Sequence, residues 1–176
     1  NYVYVVAKKS DIKTVSSIKV RYDITAPSAE ARADLDVFSP NNDGSLDEIT
    51  YRIRSNENGK LYFIIKDPKG NTLVNQEIAC GADELIRVVW NGEKIWIDQG
   101  GKEVLLGRTE GVEDGKYDHI VFAVDEAGNI SENIIGFTYV DRAPPVITSL
   151  SASPNPFTPS TDGNVMISFE VSEPSS

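Results

Sequence analysis

The sequence predicts an all-β protein built as an antiparallel β-sandwich. Short segments rich in β-branched and aromatic residues follow one another, and turn formers such as Asn58-Gly59 and Asn91-Gly92 separate them. No stretch shows the three- and four-residue apolar spacing of an amphipathic helix. The predicted strands are residues 3–7, 18–24, 49–53, 61–65, 85–90, 120–124 and 134–140. Short strands in this number, with turns between them, are typical of a sandwich.

Individual strands indicate which side chains face the core. Between Ile49 and Arg54 apolar and polar residues alternate strictly, so we expect one buried and one wet face. Trp90 ends an apolar run and is predicted to belong to the core. We interpret His119, which lies inside a strand, and Cys80 as structural residues, since no serine or cysteine stands in a recognisable nucleophile context. The sequence therefore predicts no enzyme.

An internal repeat organises the chain. The segment 38–44 (Phe-Ser-Pro-Asn-Asn-Asp-Gly) has a counterpart at 157–163, 119 residues later, and the alternating strands that follow the two copies are 118 residues apart. The segment 22–27 has an independent counterpart at 140–145, again at an offset of 118. We therefore predict three copies of one unit. Residues 1–27 are the last strands of a preceding repeat, 28–145 are a complete repeat, and 146–176 are the first strands of a following one.

Several short motifs stand in a fixed order along the complete repeat. They are Phe-Ser-Pro-Asn-Asn-Asp-Gly at 38–44, Trp-Asn-Gly at 90–92, Asp-Gly-Lys-Tyr at 114–117, Asp-Glu-Ala-Gly-Asn at 125–129 and the linker 141–145. This ordered set resembles the Ig-like repeat of flagellar hook-capping proteins, cell-wall subtilisin-like proteases and other bacterial surface proteins. The resemblance implies an immunoglobulin/fibronectin-like sandwich, repeated in tandem with partial flanking repeats, in an extracellular protein of the bacterial cell surface.

The region 93–112 is longer than the resemblance leads us to expect. Two apolar runs, 95–97 and 104–106, surround Gln99-Gly100-Gly101 and predict an inserted hairpin. Trp96 lies in this hairpin, where no core partner is obvious. An exposed aromatic ring on a loop is a common contact for a sugar ring or an apolar patch of a partner. Trp96 is therefore our candidate binding residue, with core packing as the alternative.

The loop after Phe38 is the candidate metal site. Oxygen-bearing side chains alternate along it, and glycine allows a tight loop to fold them inward, as Ca²⁺ coordination requires. The predicted ligands are Asn41, Asp43, Ser45, Asp47 and Glu48. The loop is not an EF-hand, and the alternative is an Asx turn in which these side chains cap backbone N–H groups. Further candidates for ligands, at the junctions between repeats, are Asp125, Asn129 and Asp141.

Charge excludes two classes of partner. The chain carries 17 Lys and Arg against 27 Asp and Glu, a net charge of −10, which repels phosphate backbones and anionic lipids. No apolar run approaches the length of a membrane span, so we predict neither nucleic-acid binding nor membrane insertion. The sequence opens within a strand, so we expect the natural protein to extend further at its N-terminus.

These observations predict a non-catalytic structural or assembly module of a bacterial surface protein. It would act as a spacer or stalk, or as the unit of a head-to-tail filament, with Ca²⁺ stiffening its junctions. Its partners would be neighbouring Ig-like repeats or copies of itself. The alternative is an adhesin or a carbohydrate-binding accessory module of a secreted enzyme, with a glycan or a surface protein as partner. A third hypothesis is an ancillary domain of a cell-wall protease.

Overall fold

The computed structural model of the chain describes residues 2–20, 22–98 and 101–172. Within these ranges the chain forms fourteen strands and one helical turn, which confirms the predicted all-β class. The strands are β1 (Tyr2–Lys9), β2 (Ile12–Lys19), β3 (Ala29–Ala33), β4 (Val37–Phe38), β5 (Ile49–Ser55), β6 (Gly59–Lys66), β7 (Thr72–Cys80), β8 (Ile86–Trp90), β9 (Lys94–Asp98), β10 (Glu103–Arg108), β11 (Gly115–Asp125), β12 (Ile134–Val140), β13 (Ile147–Ser153) and β14 (Met166–Val171). The helical turn, α1, spans Pro159–Asp162.

Strands β3 to β12 form two five-stranded sheets. Sheet I has the order β10-β9-β8-β5-β3, and sheet II has the order β4-β12-β11-β6-β7. Neighbouring strands are antiparallel, except that β4 pairs in parallel with β12 through Val37 and Phe38. The two runs at 95–97 and 104–106 pair as a hairpin, β9 with β10, and extend sheet I at its edge. Gln99 and Gly100, predicted for its turn, lie outside the described residues.

Side chains of the two sheets meet in one hydrophobic core. Tyr51 of sheet I contacts Phe63 of sheet II with ring centroids 4.9 Å apart, and Trp90 contacts Tyr117 at 5.3 Å. Because side chains alternate along a strand, these residues lie on the inner face of their sheet. Among the described residues the largest fully buried side chains also include Phe38, Ile49, Ile53, Leu61, Ile65, Ile95, Val88 and Val121. The core is therefore shared by both sheets, as in a sandwich.

Two hairpins lie outside these sheets. β1 pairs with β2, and β13 pairs with β14, and each pair is a separate two-stranded sheet. Every residue of β1, β2 and β13 is exposed, including the apolar ones. The chain divides into two compact units, Asn1–Asp141 and Arg142–Ser176. Neither hairpin adds a strand to sheet I or sheet II.

One predicted strand is displaced. The prediction placed a strand at 18–24, but the structure has β2 at Ile12–Lys19 and no strand at residues 22–24. The reason is a tight turn: β1 ends at Lys9, which pairs with Ile12, so only two residues separate the two strands. The sequence analysis also missed β3, β4, β7 and β13.

Candidate functional site

The loop 41–48, predicted to bind calcium, is closed by its own side chains. Asp47 accepts hydrogen bonds from the backbone N–H groups of Asn42 (2.6 Å) and Gly44 (2.7 Å), one on each carboxylate oxygen. Asp43 accepts the backbone N–H of Ser45 at 2.8 Å. Asp47 is half-buried, and the other predicted ligands Asn41, Asp43, Ser45 and Glu48 are exposed. These are the hydrogen bonds of the Asx-turn alternative, and calcium binding at this loop stays a prediction.

Three carboxylates from distant parts of the sequence meet at one end of the sandwich. Asp23 precedes β3, Glu57 lies between β5 and β6, and Asp125 ends β11. One oxygen atom from each lies within 4.8 Å of the others. They line a cavity of about 440 Å³ together with Asn58 and Ala82. This donor set suits a hard cation such as Ca²⁺.

Asp125 is fixed within this group by the Asp-Glu-Ala-Gly-Asn turn. Its carboxylate accepts the side-chain amide of Asn129 and the backbone N–H groups of Asn129 and Ala127, each at 2.8 Å. These bonds, the Asn129 side chain first, hold the pKa of Asp125 below its ordinary value, so the group is a carboxylate at neutral pH. β11 begins at Gly115 and ends at Asp125. Asp141 follows Val140, which pairs with Gly115, so Asp141 and Asp125 lie at opposite ends of β11. Asp125 and Asn129 are therefore together, and Asp141 is separate from them.

The two tryptophans have different surroundings. Trp90 is fully buried, as predicted, and its indole N–H donates to the Thr109 hydroxyl at 3.1 Å. Trp96, the candidate binding residue, lies in β9 between Val89 of β8 and Leu105 of β10. Only 9% of its surface is exposed, which leaves little of the ring for a ligand. The hydrophobic cluster between the two sheets does not include Trp96, so the ring is buried outside that core, and the binding role stays a prediction.

His119 is buried against a glycine and a tyrosine. Its imidazole lies over Gly136 on the neighbouring strand, and its ring centroid is 5.0 Å from that of Tyr51. Burial lowers the pKa of His119 below the ordinary 6.5. The Nδ1 atom of His119 and the hydroxyl of Tyr51 are buried without a hydrogen-bond partner among the described residues. Cys80 is also buried, which raises the pKa of its thiol, as expected of a packing residue.

The outer faces of the two sheets differ in chemistry. On sheet I the outward residues of β3 and β5 are largely charged, and Arg54 donates two hydrogen bonds to Glu30 at 2.9 and 3.0 Å. On sheet II the outward positions of β11 and β12 are largely apolar, and Ile135, Phe137 and Tyr139 are 67%, 49% and 44% exposed. The sequence analysis did not identify this face. The available signal was the apolar run in β11, where Ile120 and Phe122 occupy positions that alternation would make polar.

Comparison with known proteins adds no identity: no family model matches the chain, and no curated protein matches it. Within the described residues, none of the helical structure has the length and apolar character needed to cross a membrane. The functional argument therefore depends on the chain's own residues and their geometry.

Proposed function

We propose that the chain is a non-catalytic structural or assembly module of a bacterial extracellular surface protein, built from tandem Ig-like repeats. The observation that carries this proposal is the agreement between the repeat offset and the strand pairing. Subtracting 118 from β13 (Ile147–Ser153) and β14 (Met166–Val171) gives residues 29–35 and 48–53, which overlap β3 and β5. β3 and β5 pair antiparallel, as β13 and β14 do.

The other hairpin supports the same reading. Adding 118 to β1 (Tyr2–Lys9) and β2 (Ile12–Lys19) gives residues 120–127 and 130–137, which overlap the antiparallel pair β11 and β12. An isolated two-stranded hairpin is at best marginally stable in water, and apolar residues on both of its faces call for further strands. Both hairpins are therefore interpreted as parts of neighbouring sandwiches, which join end to end through short proline-containing linkers.

Hydrogen exchange on the dilute chain tests the first part of this proposal. Amides of β5, β6, β8 and β11 should be protected by the free energy of unfolding of the sandwich, and those of β1–β2 and β13–β14 should exchange within seconds to minutes. If the hairpin amides were protected as strongly as the central strands at low concentration, the hairpins would belong to a unit that is already complete. The tandem-repeat proposal would then fail.

Single-molecule pulling tests the mechanical role. A spacer should resist extension until the central sandwich unfolds as a unit, and full extension of residues 28–141 then adds about 40 nm of chain. Gradual extension at low force, without a step of that size, would contradict a role as a spacer. The measurement needs no ligand and no partner.

Ca²⁺ would stiffen the module at the 41–48 loop. With a dissociation constant of about 0.1 mM, typical of weak extracellular sites, 1 mM Ca²⁺ would raise the free energy of unfolding by about 1.4 kcal/mol. Asp47→Asn should abolish this increase, whereas Glu57→Gln, in the separate group of three carboxylates, should leave it intact. The reverse result would move the calcium site to the end of the sandwich, and no increase in either protein would remove calcium from the proposal.

The adhesin or carbohydrate-binding alternative rests on Trp96. Its burial between two neighbouring strands does not favour this role. Glycan-array binding by the chain that is lost in Trp96→Ala, with the thermal midpoint preserved, would favour the alternative over the structural module.

A further inference from the structure

We infer that the outer face of sheet II is a lateral docking surface for the same face of a second copy of this chain. We call this surface the apolar face and define it by Ile64, Ile120, Phe122, Ile135, Phe137 and Tyr139. The inference rests on the proposed assembly function and deepens it. It adds a sideways contact between copies to the end-to-end contact between repeats.

The strand register makes the apolar face continuous. Ile120 of β11 lies opposite Ile135 of β12 on one side and opposite Ile64 of β6 on the other, so three isoleucines form a row across the sheet. In the next row Phe122 stacks on Tyr62 with ring centroids 4.7 Å apart and planes 5° apart. Contiguous apolar surface of this kind on a folded domain marks an interaction site.

The area of the apolar face suits a weak pair. The apolar face lies on three strands, β6, β11 and β12, which are spaced about 4.8 Å apart, and outward residues along some 20 Å of their length give about 300 Å² per copy. Face-to-face packing of two copies would thus remove roughly 600 Å² from water, or about 800 Å² with the outward residues of the neighbouring β7, which is the size of a weak, transient interface. We therefore expect self-association at concentrations on the order of 0.1–1 mM.

Charges at the rim permit two copies to meet. Lys116 pairs with Asp118 at 2.9 Å, and Lys60 pairs with Glu77 at 2.6 Å, so both signs of charge border the apolar face. A two-fold arrangement can place the positive group of one copy near the negative group of the other. The outward charged residues of these strands include Lys66 besides the two ion pairs, so this face carries no acidic excess. Pairing here therefore avoids much of the repulsion between two copies of net charge −10.

The aromatic rings of this face are poorly arranged for a sugar. Stacking on a pyranose needs a free ring face, but Tyr62 and Phe122 cover one another. The Lys116 ammonium lies 4.8 Å from the centre of the Phe137 ring, and Tyr139 meets the same ring edge to face. An extended apolar protein surface is therefore a better fit than a glycan.

The pattern recurs in the N-terminal hairpin. At the offset of 118, Ile120, Phe122 and Val124 of β11 correspond to Tyr2, Tyr4 and Val6 of β1. Tyr2, Tyr4 and Val6 alternate along β1 and share one side of the hairpin. Two repeats thus place apolar residues at the same strand positions, as expected if each repeat of an array contributes a lateral contact.

Sedimentation velocity on the full chain, from about 10 µM to 1 mM, tests the inference. The chain should dimerise with rising concentration, and Ile135→Glu/Phe137→Glu should weaken dimerisation at least tenfold, because it places charges at the centre of the contact. Leu105→Glu is the matched control: Leu105 is 56% exposed on the outer face of sheet I, and its replacement should leave dimerisation unchanged. Ile135→Lys/Phe137→Lys is the second disrupting variant, and it should match the first if each retains the thermal midpoint.

The results separate lateral pairing from end-to-end assembly. Self-association that survives both sheet II variants and is lost in Val5→Glu, on the side of β1 opposite Tyr4, would overturn the lateral contact and leave the end-to-end proposal standing. A monomer at 1 mM would overturn the lateral contact as well. So would glycan-dependent changes in the NMR signals of the apolar face in a monomeric protein, since a sugar would then be the occupant.

Discussion

Two buried tyrosines offer a matched test of how the core satisfies its polar groups. Tyr51 and Tyr117 are each only 1% exposed, and they lie on facing sheets. The Tyr117 hydroxyl donates to the backbone oxygen of Glu113 at 2.9 Å and accepts its N–H at 3.0 Å. The Tyr51 hydroxyl has no hydrogen-bond partner among the described residues. Burial, with the nearby Asp34 carboxylate adding, raises the pKa of Tyr51 above its usual value, so the group remains a neutral hydroxyl.

Removing each hydroxyl should therefore have opposite effects. Tyr117→Phe loses two hydrogen bonds at about 1 kcal/mol each, and the free energy of unfolding should fall by about 1–2 kcal/mol. Tyr51→Phe loses no bond and ends the desolvation penalty of an unpaired hydroxyl, about 1–3 kcal/mol, part of which is offset by lost packing. We expect Tyr51→Phe to be neutral or stabilising by up to about 1 kcal/mol.

Urea unfolding of the two variants measures this difference directly. At an unchanged slope, the urea midpoint of Tyr117→Phe should fall and that of Tyr51→Phe should stay or rise. The thermal midpoints should differ by about 4–12 °C, at about 4 °C per kcal/mol for a domain of this size. If Tyr51→Phe lost as much stability as Tyr117→Phe, the Tyr51 hydroxyl would have a partner in solution. The argument from its unpaired state would then be refuted.

Three further predictions concern the same core. Burial lowers the pKa of His119 below 6.5, so between 6.5 and that lower pKa the unfolded chain binds more protons than the folded one. In this window stability should fall on acidification, by at most about 1.4 kcal/mol per pH unit. His119→Gln should flatten this dependence, and an NMR titration of the single imidazole at or above 6.5 would contradict it. Gly136→Ala places a Cβ against the His119 ring and should cost about 1–3 kcal/mol in urea unfolding. Gly107→Ala meets the end of a flexible glutamine at 3.3 Å and Ile95 at an ordinary contact distance, so it should cost less, and equal costs would refute the steric argument. Thr109→Val leaves the buried indole N–H of Trp90 unpaired and should lower the free energy of unfolding by about 1–3 kcal/mol. Unfolding followed by tryptophan fluorescence measures this loss, and a loss below about 0.3 kcal/mol would show that the hydrogen bond is dispensable.

The strands that the sequence predicts are those whose own residues alternate or are strongly β-forming. In β5 the alternation from Ile49 to Arg54 gives both the strand and its buried face. In β3 the residues Ala-Glu-Ala-Arg-Ala are helix formers, and no local signal indicates a strand. β3 is a strand because it pairs with β5, where Ala31 lies opposite Ile53. Tertiary contact therefore overrides the helix propensity of its residues.

The same limit applies to the candidate sites. Hydrogen bonds within the loop 41–48 connect residues at most five positions apart, so the Asx-turn alternative could be stated from the sequence. Asp23, Glu57 and Asp125 lie tens of residues apart, and only the arrangement of the strands brings them together. Trp96 is only 9% exposed, in a strand paired with β8 on one side and β10 on the other, and no local pattern fixes the register of either pairing.

The contrast between the two outer sheet faces bears on how an array would assemble. On the proposed lateral pairing, one apolar face per repeat gives contacts that recur every 118 residues along the chain. Once one pair of faces has bound, a second pair on the same two arrays binds intramolecularly. It strengthens binding only if the effective concentration of the second faces exceeds the dissociation constant of a single face-to-face contact, here about 0.1–1 mM. Short, stiff linkers keep that concentration in the millimolar range, whereas long flexible ones would dilute it. Lengthening the junction at residues 141–145 should therefore weaken pairing of multi-repeat arrays while leaving the pairing of single sandwiches unchanged.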